Sequence, residues 1–284
     1  MNTKALRLIA VPTVVVVASV AFTACSSSKK SGPVASASCT PVQQVTTIKK
    51  GVLTVALTNT PPYSFQTGDH LDGIDSGIVT TLAKADCLSV EFAPYTYATA
   101  IPAIKAGRAD VAVGGFYRTA ARAAQVTLSD PAYLDEMTAI AKSDLSTVDS
   151  LVGKKVGTVD GYLWVAALKA ISGIQARVYP DSQSLSLDLK SGRLDVAIDG
   201  YGAAITDAKG MDYKLNVIAA DPRIPATGEP SQTCILIDPS EGDLATALNT
   251  TIGTLRSNGQ LVTILGQFGL PASAATVGTP RVIS

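Results

Sequence analysis

His70 is the only histidine among the 284 residues, which excludes multi-histidine metal sites and leaves a Ser-His-Asp or Cys-His relay a single residue to use. The four cysteines, Cys25, Cys39, Cys87 and Cys234, lack the CxxC spacing of zinc and redox sites. The remaining chemistry lies in a few fixed charges and hydroxyls, and a repeat brings some of these into related positions. Lys105-Ala-Gly-Arg-Ala-Asp-Val-Ala-Val-Gly-Gly-Phe116 matches Lys190-Ser-Gly-Arg-Leu-Asp-Val-Ala-Ile-Asp-Gly-Tyr201 at seven of twelve positions, at an offset of 85. In each copy a helix ends at Gly107 or Gly192 and a strand opens at Asp110 or Asp195. Gly114 and Asp199 then fall at equivalent points, the carboxyl ends of their strands. In open α/β sheets that edge faces the ligand crevice. A carboxylate there can hold an ammonium, whereas no general acid with a supporting partner stands out.

The elements that carry these residues alternate. Leu53–Leu57 reads as a buried strand, Gly73–Cys87 as a helix with Ile74, Ile78 and Leu82 on one face, and Leu88–Phe92 as a second strand. A helix over Ala98–Ala106 and an apolar strand over Asp110–Val113 follow. The pattern predicts an α/β fold with parallel strands, and the repeat predicts two lobes of similar build with a cleft between facing strand ends. Met137–Ala141 links into the second lobe, Tyr162–Ile171 is a helix there, and Cys234–Ile237 is a return strand. Asp243–Ser257 and Gln260–Phe268 are closing helices. The expected organisation is a leader over 1–24, a flexible tether over 25–38, a first lobe over 39–133, a second lobe over 134–232, a return to the first lobe over 233–270 and a disordered tail over 271–284.

The leader rests on Lys4 and Arg7, followed by Leu8–Phe22, a largely apolar run too short for the roughly 20 residues of a membrane span. Phe22-Thr23-Ala24-Cys25 resembles a bacterial lipobox, which implies a lipid anchor on Cys25. Ser26–Ser38 has a tether's composition. Removing Lys4 and Arg7 with the leader leaves 21 basic against 23 acidic residues, a formal charge of −2. A chain this close to neutral lacks the basic surplus of nucleic-acid binding. An exported location permits a disulfide, for which Cys39 and Cys87 are the expected pair, with Cys234 a buried thiol.

Several further segments, in order, resemble bacterial extracellular solute-binding proteins of family 3, the amino-acid receptors of ABC importers. They are Gly51-Val-Leu-Thr-Val with Pro61-Pro62-Tyr63-Ser64-Phe65, Ile101-Pro-Ala-Ile-Lys-Ala-Gly-Arg-Ala-Asp110, Thr119-Ala-Ala-Arg122 with Ser129-Asp130-Pro131-Ala132-Tyr133, and Ser150-Leu-Val-Gly-Lys-Lys-Val-Gly-Thr-Val-Asp-Gly161. The resemblance spans Gly51 to about Leu270 and implies a two-lobed, type II periplasmic-binding-protein-like α/β fold. It also implies that Arg122 grips a ligand carboxylate with its guanidinium fork. Asp199 is the matching partner for the ligand ammonium, although it lies four residues beyond Asp195 where the family's acid usually lies five beyond. A structural role for it therefore stays open.

The resemblance further implies an aromatic sandwich from Tyr63 and Tyr97, and backbone groups of Gly114 and Gly115 where relatives carry serines. Thr119 either caps a helix or faces the ligand, and Tyr117 either contacts the ligand or packs. Gly161 and Tyr162 open a helix whose free amides can hold a carboxylate. Leu163 lacks the hydroxyl usual there, and Phe116 and Trp164 suit packing. Thr58 and Asn59 lack the acid common in receptors for basic amino acids, which argues against lysine or arginine as ligand. No cofactor or metal is implied. The implied partners are a small zwitterion, a permease and the membrane, with a monomer as the default. A dehydratase-like enzyme and a ligand sensor on the same fold are the alternatives.

Overall fold

The computed structural model describes residues 39–284, so the expected leader, the tether and the anchor at Cys25 lie outside the described residues. The chain enters through β1 (Val52–Thr58), a small hairpin of β2 (Phe65–Thr67) and β3 (His70–Asp72), and helix α1 (Ile74–Ala85). Then come β4 (Ser89–Tyr95), α2 (Tyr97–Lys105), β5 (Val111–Tyr117), the single turn α3 (Ala120–Ala123), and the short strands β6 (Thr127–Leu128) and β7 (Leu134–Asp135). Next follow β8 (Met137–Ala141), β9 (Lys155–Val159), α4 (Val165–Ala170), β10 (Gln175–Tyr179), α5 (Ser182–Lys190), β11 (Val196–Gly200), α6 (Tyr201–Ala208) and β12 (Lys214–Val217). The chain returns through β13 (Ser231–Ile237), α7 (Gly242–Ser257) and α8 (Gln260–Gln267).

Two sheets result. The first runs β4-β1-β5-β13-β6, with β7 also on β13, and the second runs β10-β9-β11-β8-β12. In each, three strands are parallel, β4-β1-β5 and β10-β9-β11, and the next neighbour, β13 or β8, is antiparallel. The repeated aspartates do the same work in both. Asp110 accepts the backbone N–H of Thr54 at the start of β1, and Asp195 accepts that of Lys155 at the start of β9, at 2.8 Å. Each ties its strand to the neighbouring one, so this half of the repeat is structural. Gly107 and Gly192, with φ of +63° and +74°, turn the chain out of the preceding helices as expected.

Two connections join the lobes, one between β7 and β8 and one between β12 and β13. Ser231 of β13 pairs with Asp135 of β7, so residues 134–135 and 231–232 belong to the first sheet. The expected lobe boundaries therefore shift by about two residues, to Glu136 on the way out and to the loop ending at Pro230 on the way back. The disulfide joins Cys39 to Cys87, and Cys234 is a buried free thiol against the carbonyl of Phe116.

The expectation of a disordered tail over 271–284 is overturned. Ala274, Ala275 and Val277 are buried. The Gln232 side chain donates to the carbonyls of Val277 and Thr279 and accepts the N–H of Arg281, at 2.7–2.8 Å. Ile283 bridges the turn before α3, exchanging backbone bonds with Arg118 and Ala120 at 2.9 Å. Small residues let this segment lie flat on the first lobe, and one buried glutamine binds three of its backbone groups.

Candidate ligand-binding cleft

The lobes meet around a small space lined by Tyr63, Tyr97, Gly115, Tyr117 and Asp135 from the first lobe and Tyr162, Leu163, Trp164, Asp199 and Gly200 from the second. The space measures about 10 Å³, near the least that holds one water. Of the two positions marked by the repeat, Asp199 reaches this space near the end of β11, whereas Gly114 lies in mid-β5 and Gly115 and Tyr117 line the space in its place.

Arg122 is buried on the single turn α3, behind Tyr97. Its guanidinium donates to the Tyr117 carbonyl at 2.6 Å, to the Tyr97 hydroxyl at 3.0 Å and across to the Gly161 carbonyl of the second lobe at 3.4 Å. It stands 5.3 Å from the ring centres of both Tyr97 and Phe116, which stack on each other at 4.2 Å. All these partners are neutral, and among the described residues no carboxylate comes within ion-pair distance of it. A buried cation held this way is short of one anion.

Asp199, fully buried near the end of β11, faces the same space. Its carboxylate accepts Tyr162 Oη at 3.0 Å, Ser182 Oγ at 2.7 Å and the Gly200 N–H at 2.7 Å. Burial raises its pKa to about 6, and the three hydrogen bonds limit the rise. The four-residue offset from Asp195 thus still brings the carboxylate to the cleft, because β11 ends at the next residue and α6 begins.

The other expected residues divide. Tyr63, Tyr97, Tyr117 and Tyr162 line the space, and burial raises their hydroxyl pKa values, leaving neutral donors. Trp164 lines it too, donating Nε1–H to Thr158 at 2.7 Å. Thr119 caps α3 by accepting the Arg122 N–H at 3.2 Å, the first of its two expected roles. The amides of Gly114 and Gly115, expected to be exposed to ligand, are both taken by the buried carboxylate of Asp75, at 3.0 and 2.8 Å. Serine does not fit there: a Cβ on Gly115, whose φ is +67°, would lie 2.7 Å from the Tyr63 ring. The helix expected from Tyr162 starts only at Val165, so Gly161 and Tyr162 form a turn, and it is the Gly161 carbonyl that meets Arg122. His70 is exposed beside Asp69 in the β2–β3 hairpin, away from the cleft.

Asp135 went unnoticed in the sequence. Buried at the end of β7, it accepts Tyr63 Oη at 2.6 Å, Tyr117 Oη at 2.9 Å and the Gly202 N–H of α6 at 3.2 Å. Burial raises its pKa to about 6 against those bonds. The adjoining Ser129-Asp130-Pro131-Ala132-Tyr133 segment gave no hint, because the partners come from three distant segments. Among the described residues, no group of three or more His, Cys, Asp or Glu side chains could hold a metal, and no helix is long and apolar enough to cross a membrane.

The closed contact is tight at Gly200. A Cβ there would lie 2.4 Å from Asp135 Oδ2 and from Tyr63 Oη, both across the cleft. Overpacking of this kind costs about 1–3 kcal/mol. Gly200→Ala is expected to lower the melting midpoint by a few degrees and to enlarge the radius of gyration in solution scattering, as the lobes part. If both stay unchanged, the lobes do not close in solution as they do here.

Two hinged sheets with a charged, aromatic cleft between them define a type II periplasmic binding protein. The chain belongs to the bacterial extracellular solute-binding proteins, family 3, whose pattern matches residues 53–271. It is similar to the L-cystine-binding protein TcyJ of Escherichia coli K12, 26% identical over 75% of this chain and 80% of that one. A probable histidine-binding protein of Campylobacter jejuni is 26% identical over 49% of this chain, a match spanning only 56% of that relative. In structure, the amino acid ABC transporter substrate-binding protein AbpA of Streptococcus pneumoniae, solved bound to L-arginine, superposes with a TM-score of 0.69 at 22% identity, over 81% of this chain and 98% of that one. At that identity the likeness speaks for the fold.

Proposed function

We propose that this protein is an extracytoplasmic receptor that binds an amino acid between its lobes and hands it to the permease of an ABC importer, anchored to the membrane through a lipid on Cys25. The observation that carries the reading is Arg122, a cation buried directly behind the Tyr97 wall of the cleft with only neutral partners among the described residues, while the opposite wall presents buried Asp199. An α-carboxylate on the guanidinium fork and an α-ammonium on Asp199 would give each charge its partner. The tyrosine rings would flank the rest of the ligand. The relatives that bind cystine and histidine support the ligand class.

The space of about 10 Å³ is too small for an amino acid, so entry requires the lobes to swing apart about the two connections near Glu136 and Pro230. The Arg122–Gly161 bond and the bonds of Asp135 to Gly202 and of Tyr63 to Ala203 would break on opening. The Cys39–Cys87 disulfide suits an oxidising, exported location, as does the leader-like start of the sequence.

A thermal-shift screen of residues 25–284 against the amino acids tests this reading. A ligand at 100 times its Kd adds about 2.7 kcal/mol. For a chain of this size the melting midpoint is then expected to rise by about 5–10 °C. If no amino acid raises it, the ligand class is wrong.

A further inference from the structure

We propose that ligand binding in the cleft is coupled to the release of a proton from Asp207, an acid on α6 that senses the charge of Asp199 across the seam between α5 and α6. The inference rests on the amino-acid-receptor reading above and adds a regulation of that same site.

The argument begins on α5, where Ser182, Ser186 and Lys190 recur every four residues and so share one face. Ser182 opens the helix at the cleft, and its Oγ donates to Asp199 Oδ2 at 2.7 Å. Ser186 stands one turn farther from the cleft, about 5.4 Å along the axis. It is 4% exposed, and among the described residues its Oγ has no hydrogen-bond partner. Beside it lies Asp207, in the second turn of α6, which packs on both α5 and β11. The Asp207 Oδ2 is sealed from solvent and also lacks a partner among the described residues. One seam thus holds two carboxylates, the partnered one at the cleft and the unpartnered one behind it.

A sealed carboxylate oxygen without a donor, next to a second anion, favours the neutral acid. Burial and then the charge of Asp199 raise the Asp207 pKa to about 8, with Ser186 and Lys190 opposing. The other titratable groups on the packed elements are engaged elsewhere. Asp188 of α5 bonds Tyr179 and Arg193, Lys214 of β12 bonds Asp144, and Tyr213 donates to the Leu189 carbonyl. β8 carries none. Asp199, raised only to about 6, is ionised at a pH where Asp207 still holds its proton. A ligand ammonium on Asp199 cancels that charge, while the ligand carboxylate goes to Arg122 on the far wall. The repulsion that held the proton on Asp207 falls away, its O–H bond breaks and the proton passes to water. Asp207 is then a stronger acid in the complex than in the free protein, so affinity rises with pH below about 8 and levels off above it.

Calorimetric titration of residues 25–284 with the twenty common amino acids and L-cystine, at pH 7.5 in phosphate and in Tris, counts the protons exchanged. The two buffers differ in ionisation enthalpy, so the difference in apparent binding heat gives the number. A fall of one pKa unit centred on that pH releases about half a proton per ligand and raises affinity about tenfold across the whole window. Asp207→Asn, which has the shape of the neutral acid, is expected to bind within about fivefold of wild type but to lose the release and the rise with pH. A purely structural role for Asp207 would shift affinity equally at every pH and leave the proton count unchanged, which would overturn the proposal. A wild type that binds an amino acid without releasing a proton would overturn it too, while leaving the receptor reading intact. A wild type that binds no amino acid would overturn both. Carboxyl-carbon NMR of aspartate-labelled wild type decides the matter without any variant. One aspartate is expected to titrate near pH 8 in the free protein and at least half a unit lower in the complex; an unmoved titration would overturn the coupling.

Discussion

Arg122→Ala is expected to weaken ligand binding by roughly a hundredfold or more while the protein stays folded. The guanidinium is buried and reaches only two carbonyls, a hydroxyl and two ring faces, so its charge meets no anion among the described residues. A carboxylate gripped by such a fork gains two charge-assisted bonds of about 1.5–3 kcal/mol each. Losing both costs at least about 3 kcal/mol, which is the hundredfold. The fold loses less. Alanine removes a costly buried charge along with its three hydrogen bonds, and the Thr119 cap on the Arg122 backbone N–H survives the change. Arg122→Lys is expected to fall between, since it retains a cation but not the fork. Calorimetric titration of the ligand found by the thermal screen, with a melting curve of each variant, measures both effects. Undiminished affinity in Arg122→Ala would remove Arg122 from the site.

Removing the Cys39–Cys87 disulfide is expected to act in the opposite way, on stability and not on binding. The bridge closes a loop with a sequence separation of 48. The chain-entropy relation assigns such a loop about 4 kcal/mol. For a chain of this length that lowers the melting midpoint by about 10 °C. The segment it holds is otherwise tied by Val42 to the Ala85 carbonyl, Gln43 to Asp86, Thr46 through both its N–H and its hydroxyl to Asp243, and Ile48 to Asp110. None of these residues lines the cleft. The Cys39→Ser, Cys87→Ser double variant should therefore melt lower yet bind its ligand with wild-type affinity at 25 °C. A midpoint within 2 °C of wild type (roughly 1 kcal/mol or less) would show that these hydrogen bonds alone secure the segment.

What could be read without coordinates was local or repeated. The two Asp-Val-Ala strands, the glycines that end the preceding helices and the long amphipathic α7 follow from periodicity, and the repeat marked Asp199 at the cleft, although its counterpart Gly114 lies in mid-β5. Residues whose meaning depends on distant partners were misread or missed. Asp135 lies on a strand of two residues, and its role comes from Tyr63, Tyr117 and Gly202, which no local pattern connects to it. The amides of Gly114 and Gly115 looked free until Asp75, 39 and 40 residues earlier, was seen to occupy both. The closing segment looked disordered because its small residues show no period, yet a single glutamine side chain on β13 binds three of its backbone groups.

The central claim is that an amino acid binds between the lobes, at Arg122 and Asp199. Trp164 is the chain's only tryptophan, and it lines that space with its ring edge-on to Tyr117 and Tyr162. Its fluorescence therefore reports from the site itself. Titrating residues 25–284 with amino acids should give a saturable change in emission for at least one of them, and Arg122→Ala should need roughly a hundredfold more ligand for the same change. A folded wild type whose emission responds to no amino acid, or an Arg122→Ala variant that responds at wild-type concentrations, would contradict it.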